Sequence, residues 1–197
     1  MKNNIYNIVI PAVGGQGGIT LARIIAEAAM LSDLDVKMSE VHGLAQRGGA
    51  TESHVKFGKK VHSSLVPQAG ADLILSTEPI EVLRSLIYAS SNTQIVVNTT
   101  KVVPISVNFD KKPYPEQEKI KKEMEKFTKK IDFVKGDEIV RKEVGNNVPL
   151  NIFMMGYAFH KGYMPLKEEK LLEAIGNVIN KKYFEMNKNV FNLAKKR

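Results

Sequence analysis

The sequence lacks cysteine altogether, although it is 197 residues long. Iron–sulfur clusters are almost always held by cysteine thiolates, and structural zinc sites usually need them too. A disulfide framework and a cysteine nucleophile are excluded for the same reason. The histidines show no HExxH-type spacing; they are His42, His54, His62 and His160. We therefore expect this chain to bind no metal.

Long apolar runs are also missing, because no stretch approaches the roughly 20 apolar residues that span a bilayer. The apolar run at residues 5–13 is short and leads directly into glycines. It therefore predicts a first strand rather than a signal peptide. The expected location is the cytoplasm, with no membrane association.

Sequence signatures of several enzyme classes are absent as well. Neither the P-loop pattern nor the GxSxG nucleophile elbow occurs. Residues 136–138, with the sequence GDE, only superficially resemble the GDG opening of a thiamine diphosphate site, because no matching asparagine segment follows. We expect no thiamine diphosphate in this chain, and we assign no catalytic residue.

Acidic residues are outnumbered, 21 against 29 lysines and arginines, which gives a formal charge of +8. A basic protein favours acidic partners such as nucleic acids, phosphorylated ligands or acidic proteins. Much of the excess lies at residues 119–130 and 195–197, where solvated helix faces are the simpler interpretation. No zinc-finger, homeodomain or RNA-recognition signature accompanies the charge, so we expect no nucleic-acid partner.

The elements that are present predict an α/β fold. Residues 5–13 predict a buried strand, residues 19–31 an apolar helix and residues 35–41 a second strand, which together form the βαβ unit of a parallel sheet. Further strands are predicted at 72–76, 94–99 and 131–134, and a hairpin at 51–57 and 61–66. Helices are predicted at 77–89 with Thr77 as cap, 115–130, from 137, 151–161, 167–180 and 182–196.

These elements predict one domain over residues 1–197. Its architecture is a three-layer α/β/α arrangement around a Rossmann-like, mainly parallel sheet with a β-hairpin and a helical C-terminal end.

The first candidate site is the glycine turn, residues 14–18, between the first strand and the first helix. Glycines allow close approach of a ligand, and the N–H groups at a helix start attract phosphate or carboxylate. The dinucleotide fingerprint GxGxxG is incomplete, because Thr20 stands where its third glycine belongs. The candidate ligand residues are Gly15, Gln16, Gly17 and Gly18. A turn that serves only packing is the alternative.

The second candidate site follows the second strand. Glu40 stands where a ribose-binding acid is expected, and Glu40 and His42 could form an acid–base pair. Arg47 offers a fork of donors for phosphate or carboxylate. An ion pair between Glu40 and Arg47 that merely fixes the loop is the alternative. The candidate residues are Glu40, His42, Gln46, Arg47, Gly48 and Gly49.

The GGQGG turn followed at this distance by E-x-H-G-x-A-Q-R-G-G resembles the gamma-type domain of the 2-oxoacid:ferredoxin oxidoreductases. The resemblance extends over almost the whole chain. Within that family it is strongest to the small beta subunits of indolepyruvate ferredoxin oxidoreductases. Residues 101–130 carry no motif that contributes to it.

The resemblance implies a heteromeric enzyme in which a large alpha subunit binds thiamine diphosphate and 4Fe-4S clusters. That enzyme oxidatively decarboxylates an aryl 2-oxoacid with coenzyme A to an aryl-acetyl-CoA, carbon dioxide and reduced ferredoxin. This chain would bind no cofactor alone, would be inactive alone, and would reach ferredoxin through the complex. Both candidate loops would face the thiamine-bearing partner, with Arg47 positioning an anionic group. A homodimer of the isolated chain is a further expectation.

Three other functions stay open from the sequence. The chain could be the gamma subunit of an enzyme for pyruvate, a branched-chain 2-oxoacid or 2-oxoglutarate. It could be a stand-alone nucleotide-binding oxidoreductase, which the incomplete fingerprint disfavours. It could also be a non-catalytic nucleotide-binding or regulatory module that docks an acidic partner. The sequence does not distinguish among 2-oxoacid substrates.

Overall fold

A computed structural model describes residues 5–43, 48–102 and 113–197 of the chain. Its strands are β1 Tyr6–Val13, β2 Asp35–His42, β3 Ala50–Gly58, β4 Leu73–Ser76, β5 Gln94–Asn98 and β6 Ile131–Val134. Its α-helices are α1 Gly18–Met30, α2 Pro79–Ser85, α3 Gln117–Met124, α4 Gly136–Val144, α5 Leu150–His160, α6 Glu168–Val178 and α7 Phe184–Leu193. No helix in these ranges is both long and apolar enough to cross a bilayer.

The strands form one sheet in the order β2-β3-β1-β4-β5-β6. β1, β4, β5 and β6 are parallel neighbours, whereas β3 runs antiparallel to both β1 and β2. Helices cover both faces of this sheet, as the two separate apolar cores show. The predicted three-layer α/β/α fold, with a mainly parallel sheet, a hairpin and a helical C-terminal end, is confirmed.

The central strands alternate between the two cores because successive side chains of a strand point to opposite faces. Ile8 and Ile10 pack with α1 and the C-terminal helices, while Val9 packs on the other face with Val82 of α2 and Met124 of α3. Both faces of β1 are therefore buried, which explains why its sequence is a continuous apolar run rather than an alternating one.

The predicted hairpin of residues 51–57 and 61–66 is wrong. The hairpin consists of β2 and β3, joined by the hairpin loop, residues 43–49. Both edges of β3 are already paired, one with β1 and one with β2, so residues 61–66 have no strand edge to join. They are held from the side instead: the Val61 N–H donates to Asp35 Oδ2 at 2.8 Å, and the Val66 N–H donates to His54 Nδ1 at 3.3 Å.

The predicted βαβ unit is also modified by this arrangement. β1 and β2 run in the same direction on either side of β3, so they are not neighbours in the sheet. β3 lies between β1 and β2, whereas in a simple βαβ unit these two strands would pair directly. This insertion brings the hairpin loop beside the glycine turn.

Two helix starts differ from the sequence prediction. Glu78, not Thr77, caps α2, and its side chain accepts hydrogen bonds from the backbone of Ile80 and Glu81. α3 begins at Gln117 and ends at Met124, so the predicted helix of residues 115–130 is shorter than expected. Phe127, inside the predicted range, lies beyond the helix end and is 41% exposed.

Candidate functional site

The glycine turn lies at the carboxyl end of β1, next to the end of β4. From β1 the chain passes through α1 on one face, and from β4 it passes through α2 on the other face. Such a reversal is a topological switch point, and α/β proteins bind ligands in the crevice outside the strands at this place. Both the glycine turn and Thr77 lie at this crevice.

The backbone of the glycine turn uses conformations that favour glycine. Gly15 has φ +98° and Gly17 has φ +77°. Gly17 is the N-cap of α1 and provides no side-chain hydrogen bond, and the first turn of the helix contains no acidic residue. The first N–H groups of α1 therefore keep their partial positive charge, which suits an anionic or carbonyl oxygen.

Gln16 turns inward and braces the switch point. Its Oε1 accepts a hydrogen bond from the Val13 N–H at 3.0 Å and another from the Thr77 hydroxyl at 2.8 Å. These bonds link the end of β1 to the end of β4 across the crevice. The side-chain oxygen of the predicted ligand residue Gln16 is therefore occupied by hydrogen bonds within the chain, and these fix the shape of the turn.

Asn151 of α5 holds the turn from the other side. Its Nδ2 donates to the Gly17 carbonyl at 3.0 Å. A Cβ at Gly17 would lie 2.7 Å from that nitrogen, so any other residue there would displace the Asn151 amide. The sequence predicts Asn151 at the start of a helix on a plausible ligand edge, and 134 residues separate it from Gly17.

The hairpin loop is joined to the glycine turn through the backbone. The Gly14 N–H donates to the Gly49 carbonyl at 2.7 Å, and the Gly48 N–H donates to the Gly14 carbonyl at 3.1 Å. Thr51 adds a bond from its hydroxyl to the Ala12 carbonyl at 3.2 Å. The two loops predicted to act together are thus physically joined. The predicted site residues Gln46 and Arg47 lie outside the described residues.

A cavity of about 480 Å³, here the hairpin cavity, opens between α1 and the β2–β3 hairpin. It brings together Glu40 and His42 of β2, Thr51 of β3, and residues of the turn and helix start. The residues of the turn and helix start are Gly14, Gly15, Gly17, Gly18, Ile19 and Thr20. Five of the ten predicted candidates, Gly15, Gly17, Gly18, Glu40 and His42, therefore meet around one opening that contains an acid, an imidazole and helix N–H donors.

A second cavity of about 710 Å³, here the amide cavity, lies on the other side of the glycine turn. Sequence reasoning missed most of it. Its polar lining consists of Gln16, Thr20, Asn146, Asn147, Asn151, Tyr183 and Asn187. Amide side chains offer both donors and acceptors, so this cavity suits uncharged hydrogen-bonding groups. The Asn146–Asn147 pair was the one local signal that could have revealed it.

His54 is fully buried in β3. Its Nε2 lies 3.0 Å from Glu52 Oε1, and its Nδ1 accepts the Val66 N–H. Both ring nitrogens are used inside the chain. His62, in contrast, is exposed on the surface.

Comparison with known proteins identifies a family match over residues 7–197, described as pyruvate ferredoxin/flavodoxin oxidoreductase. Indolepyruvate oxidoreductase subunit IorB of Archaeoglobus fulgidus is 39% identical over 92% of this chain and 89% of its own length. The subunit of the same name from Methanothermobacter thermautotrophicus is 35% identical over 94% of both chains. Among solved structures, pyruvate oxidoreductase subunit PORC of Thermotoga maritima shares the fold, with a TM-score of 0.74, 18% identity and coverage of 98% and 96%.

Proposed function

The chain belongs to the pyruvate ferredoxin/flavodoxin oxidoreductase family, and we propose that it is the small subunit of an indolepyruvate oxidoreductase. The complex would oxidatively decarboxylate aryl 2-oxoacids with coenzyme A and pass the electrons to ferredoxin. The observation that carries this proposal is the likeness over nearly the full length to several curated subunits of that name.

The role proposed for this chain is to complete an active site that its large partner carries. The glycine turn and the hairpin loop are joined by two backbone hydrogen bonds and present their open side at one edge of the sheet. This arrangement supports contact with a partner or a ligand, and no residue of the described ranges is assigned a catalytic role. Gly15, Gly17, Gly18, Glu40 and His42 would line the contact.

The finer parts of the proposal rest on the family. Thiamine diphosphate and the 4Fe-4S clusters would belong to the large subunit, where they would supply the carbanion chemistry and the single-electron steps. Coenzyme A would be a co-substrate, the 197 residues would form one domain, and the complex would work in the cytoplasm. The isolated chain would form a homodimer until its partner is present.

Co-expression with the genomic neighbours tests the proposal. The purified complex should reduce ferredoxin in a coenzyme A-dependent reaction with indolepyruvate and phenylpyruvate, and omission of this chain should abolish the activity. Activity confined to pyruvate, a branched-chain 2-oxoacid or 2-oxoglutarate would support the proposed role of the subunit but contradict the proposed aryl substrate. A defined complex without any 2-oxoacid turnover would reject the enzyme function in favour of a regulatory module.

Arg47→Ala is expected to lower turnover of the assembled complex by about 10- to 150-fold, because a bidentate guanidinium contact to an anionic group contributes on the order of 1.5–3 kcal/mol. The thermal midpoint of the subunit should stay within about 1 °C of wild type, since the proposal gives Arg47 a role in the complex and none in the folding of the subunit. Steady-state kinetics of the reconstituted complex and a thermal melt of the subunit measure the two effects. Unchanged kinetics would remove Arg47 from the site.

A further inference from the structure

A third cavity, about 380 Å³, lies on the α2 face of the β2–β3 hairpin, opposite the hairpin cavity. We call it the acidic pocket. Glu52 of β3 and Glu81 of α2 both line it, next to Arg84 and Ser85. His42 and Thr51 line this pocket and the hairpin cavity alike, so the two openings meet at the end of the hairpin.

Glu81 has only half of its hydrogen-bonding capacity satisfied. Its side chain is 1% exposed, and Oε2 pairs with the Arg84 Nε at 3.2 Å. The other oxygen, Oε1, is buried and has no hydrogen-bond partner among the described residues. An unpaired buried carboxylate oxygen destabilises the folded chain. Burial raises the pKa of Glu81, the charges of Glu78 and Glu52 add to that effect, and Arg84 opposes it.

Glu52, in contrast, is fully partnered. Its Oε1 lies 3.0 Å from His54 Nε2, and its Oε2 accepts a hydrogen bond from the Ser85 hydroxyl. Although burial raises the pKa of Glu52, the hydrogen bonds from His54 and Ser85 more than offset it, and the net pKa is lowered. Glu52 therefore keeps its negative charge beside the unpaired oxygen of Glu81.

We propose that the acidic pocket is a socket for one basic side chain, lysine or arginine, of the large partner subunit, which pairs with Glu81 Oε1. This inference rests on the proposed function. The pocket is acidic although the chain carries a formal charge of +8, so it attracts a group that the rest of this surface repels. It also adjoins the edge proposed to face the partner.

The pocket geometry suits a cationic side chain. Arg84 is 58% exposed and holds Glu81 from the outside, on Oε2, which leaves Oε1 for a second cation. The terminal torsion of a glutamate side chain is soft, so a small rotation turns Oε1 toward the cavity that the residue lines. A guanidinium or ammonium group there would also lie in the field of Glu52, without displacing its hydrogen bonds.

The proposal predicts effects of opposite sign for Glu81→Gln. The neutral amide removes the charge of a buried carboxylate that has a partner on only one oxygen, so the thermal midpoint of the full chain should rise by about 2–4 °C. The same change removes the negative partner of the inserted cation, so the dissociation constant of the complex should increase at least tenfold. Substitution of a residue with a purely structural role would not raise the thermal midpoint and weaken binding of the large subunit at the same time.

The experiment measures both quantities, the melt of the chain and its affinity for the purified large subunit. Glu118→Gln, which removes the same charge from an exposed position of α3, is the matched control and should change neither. Arg84→Met provides a second variant: it should lower the midpoint, because Glu81 then loses its only described cation, while binding of the partner stays equal or becomes tighter.

Two results would overturn the socket. The first is that Glu81→Gln binds the large subunit as tightly as wild type; if turnover is slow in that case, a small ligand is indicated instead. The second is that Arg84→Met weakens assembly as much as Glu81→Gln, which would make the Arg84–Glu81 pair itself the contact. Failure of the wild-type chain to bind any large subunit would instead reject the proposed function, and this inference with it.

Discussion

Gly17→Ala is expected to destabilise the chain by about 2–4 kcal/mol and to remove most of the turnover of the assembled complex. An alanine at φ +77° costs about 1–2 kcal/mol in backbone strain. Its Cβ would also lie 2.7 Å from Asn151 Nδ2, so the amide must move and its bond to the Gly17 carbonyl is lost. The lost hydrogen bond of this buried amide adds about 1–2 kcal/mol. Denaturant unfolding of the subunit and kinetics of the complex measure the two effects.

Gly15→Ala is the matched control for this prediction. Gly15 also has a positive φ, +98°, but a Cβ there meets no atom within 4 Å. Its substitution should therefore show the backbone strain alone, on the order of 1–2 kcal/mol. Equal losses for the two variants would show that the contact with Asn151 contributes nothing to the rigidity of the turn.

Glu78→Ala is expected to lower the free energy of unfolding by about 3–5 kcal/mol, because one carboxylate serves several donors. Its Oε2 accepts the N–H groups of Ile80 at 2.7 Å and Glu81 at 3.2 Å, which caps α2. Its Oε1 accepts the Val102 N–H at 3.3 Å and the Tyr114 hydroxyl. Burial, and then the bond to Glu78, raise the pKa of Tyr114 well above its usual range, so the phenol remains a donor.

Glu116→Ala is the control for that variant, because Glu116 is also a helix N-cap but is exposed and makes no side-chain capping bond. Glu116→Ala should change the free energy of unfolding by no more than about 0.5 kcal/mol. Chemical denaturation at neutral pH measures both. A small effect of Glu78→Ala, comparable to that of Glu116→Ala, would contradict the view that Glu78 ties α2 to the segments at Val102 and Tyr114.

The first unit of the fold followed from local sequence. A continuous β-branched run, a glycine turn and an apolar helix are each specified within a few residues, and β1 and α1 appear within one residue of the predicted bounds. The parallel-type strands at 94–98 and 131–134 were predictable for the same reason. The family was predictable as well, because the glycine turn and the hairpin loop have a recognisable sequence and spacing.

The pairing of strands was less predictable, as the misplaced hairpin shows. A glycine and a lysine between two apolar segments fit a two-residue turn locally. That turn does not form because β1 and β2 occupy both edges of β3. Which edge a strand finds depends on every other strand in the sheet, and local pattern carries little of that information.

The candidate site divides in the same way. The sequence alone determined which loops matter, since glycine spacing and polar residues after buried strands are local features. Only the tertiary structure decided that Gln16 faces inward to Thr77 and that Asn151 closes the turn. It also decided that one buried oxygen of Glu81, beside the hairpin, has no hydrogen-bond partner within the described ranges. The physical reason is that each of these contacts joins side chains from elements far apart in sequence, and their geometry exists only after the sheet and both helical layers have packed.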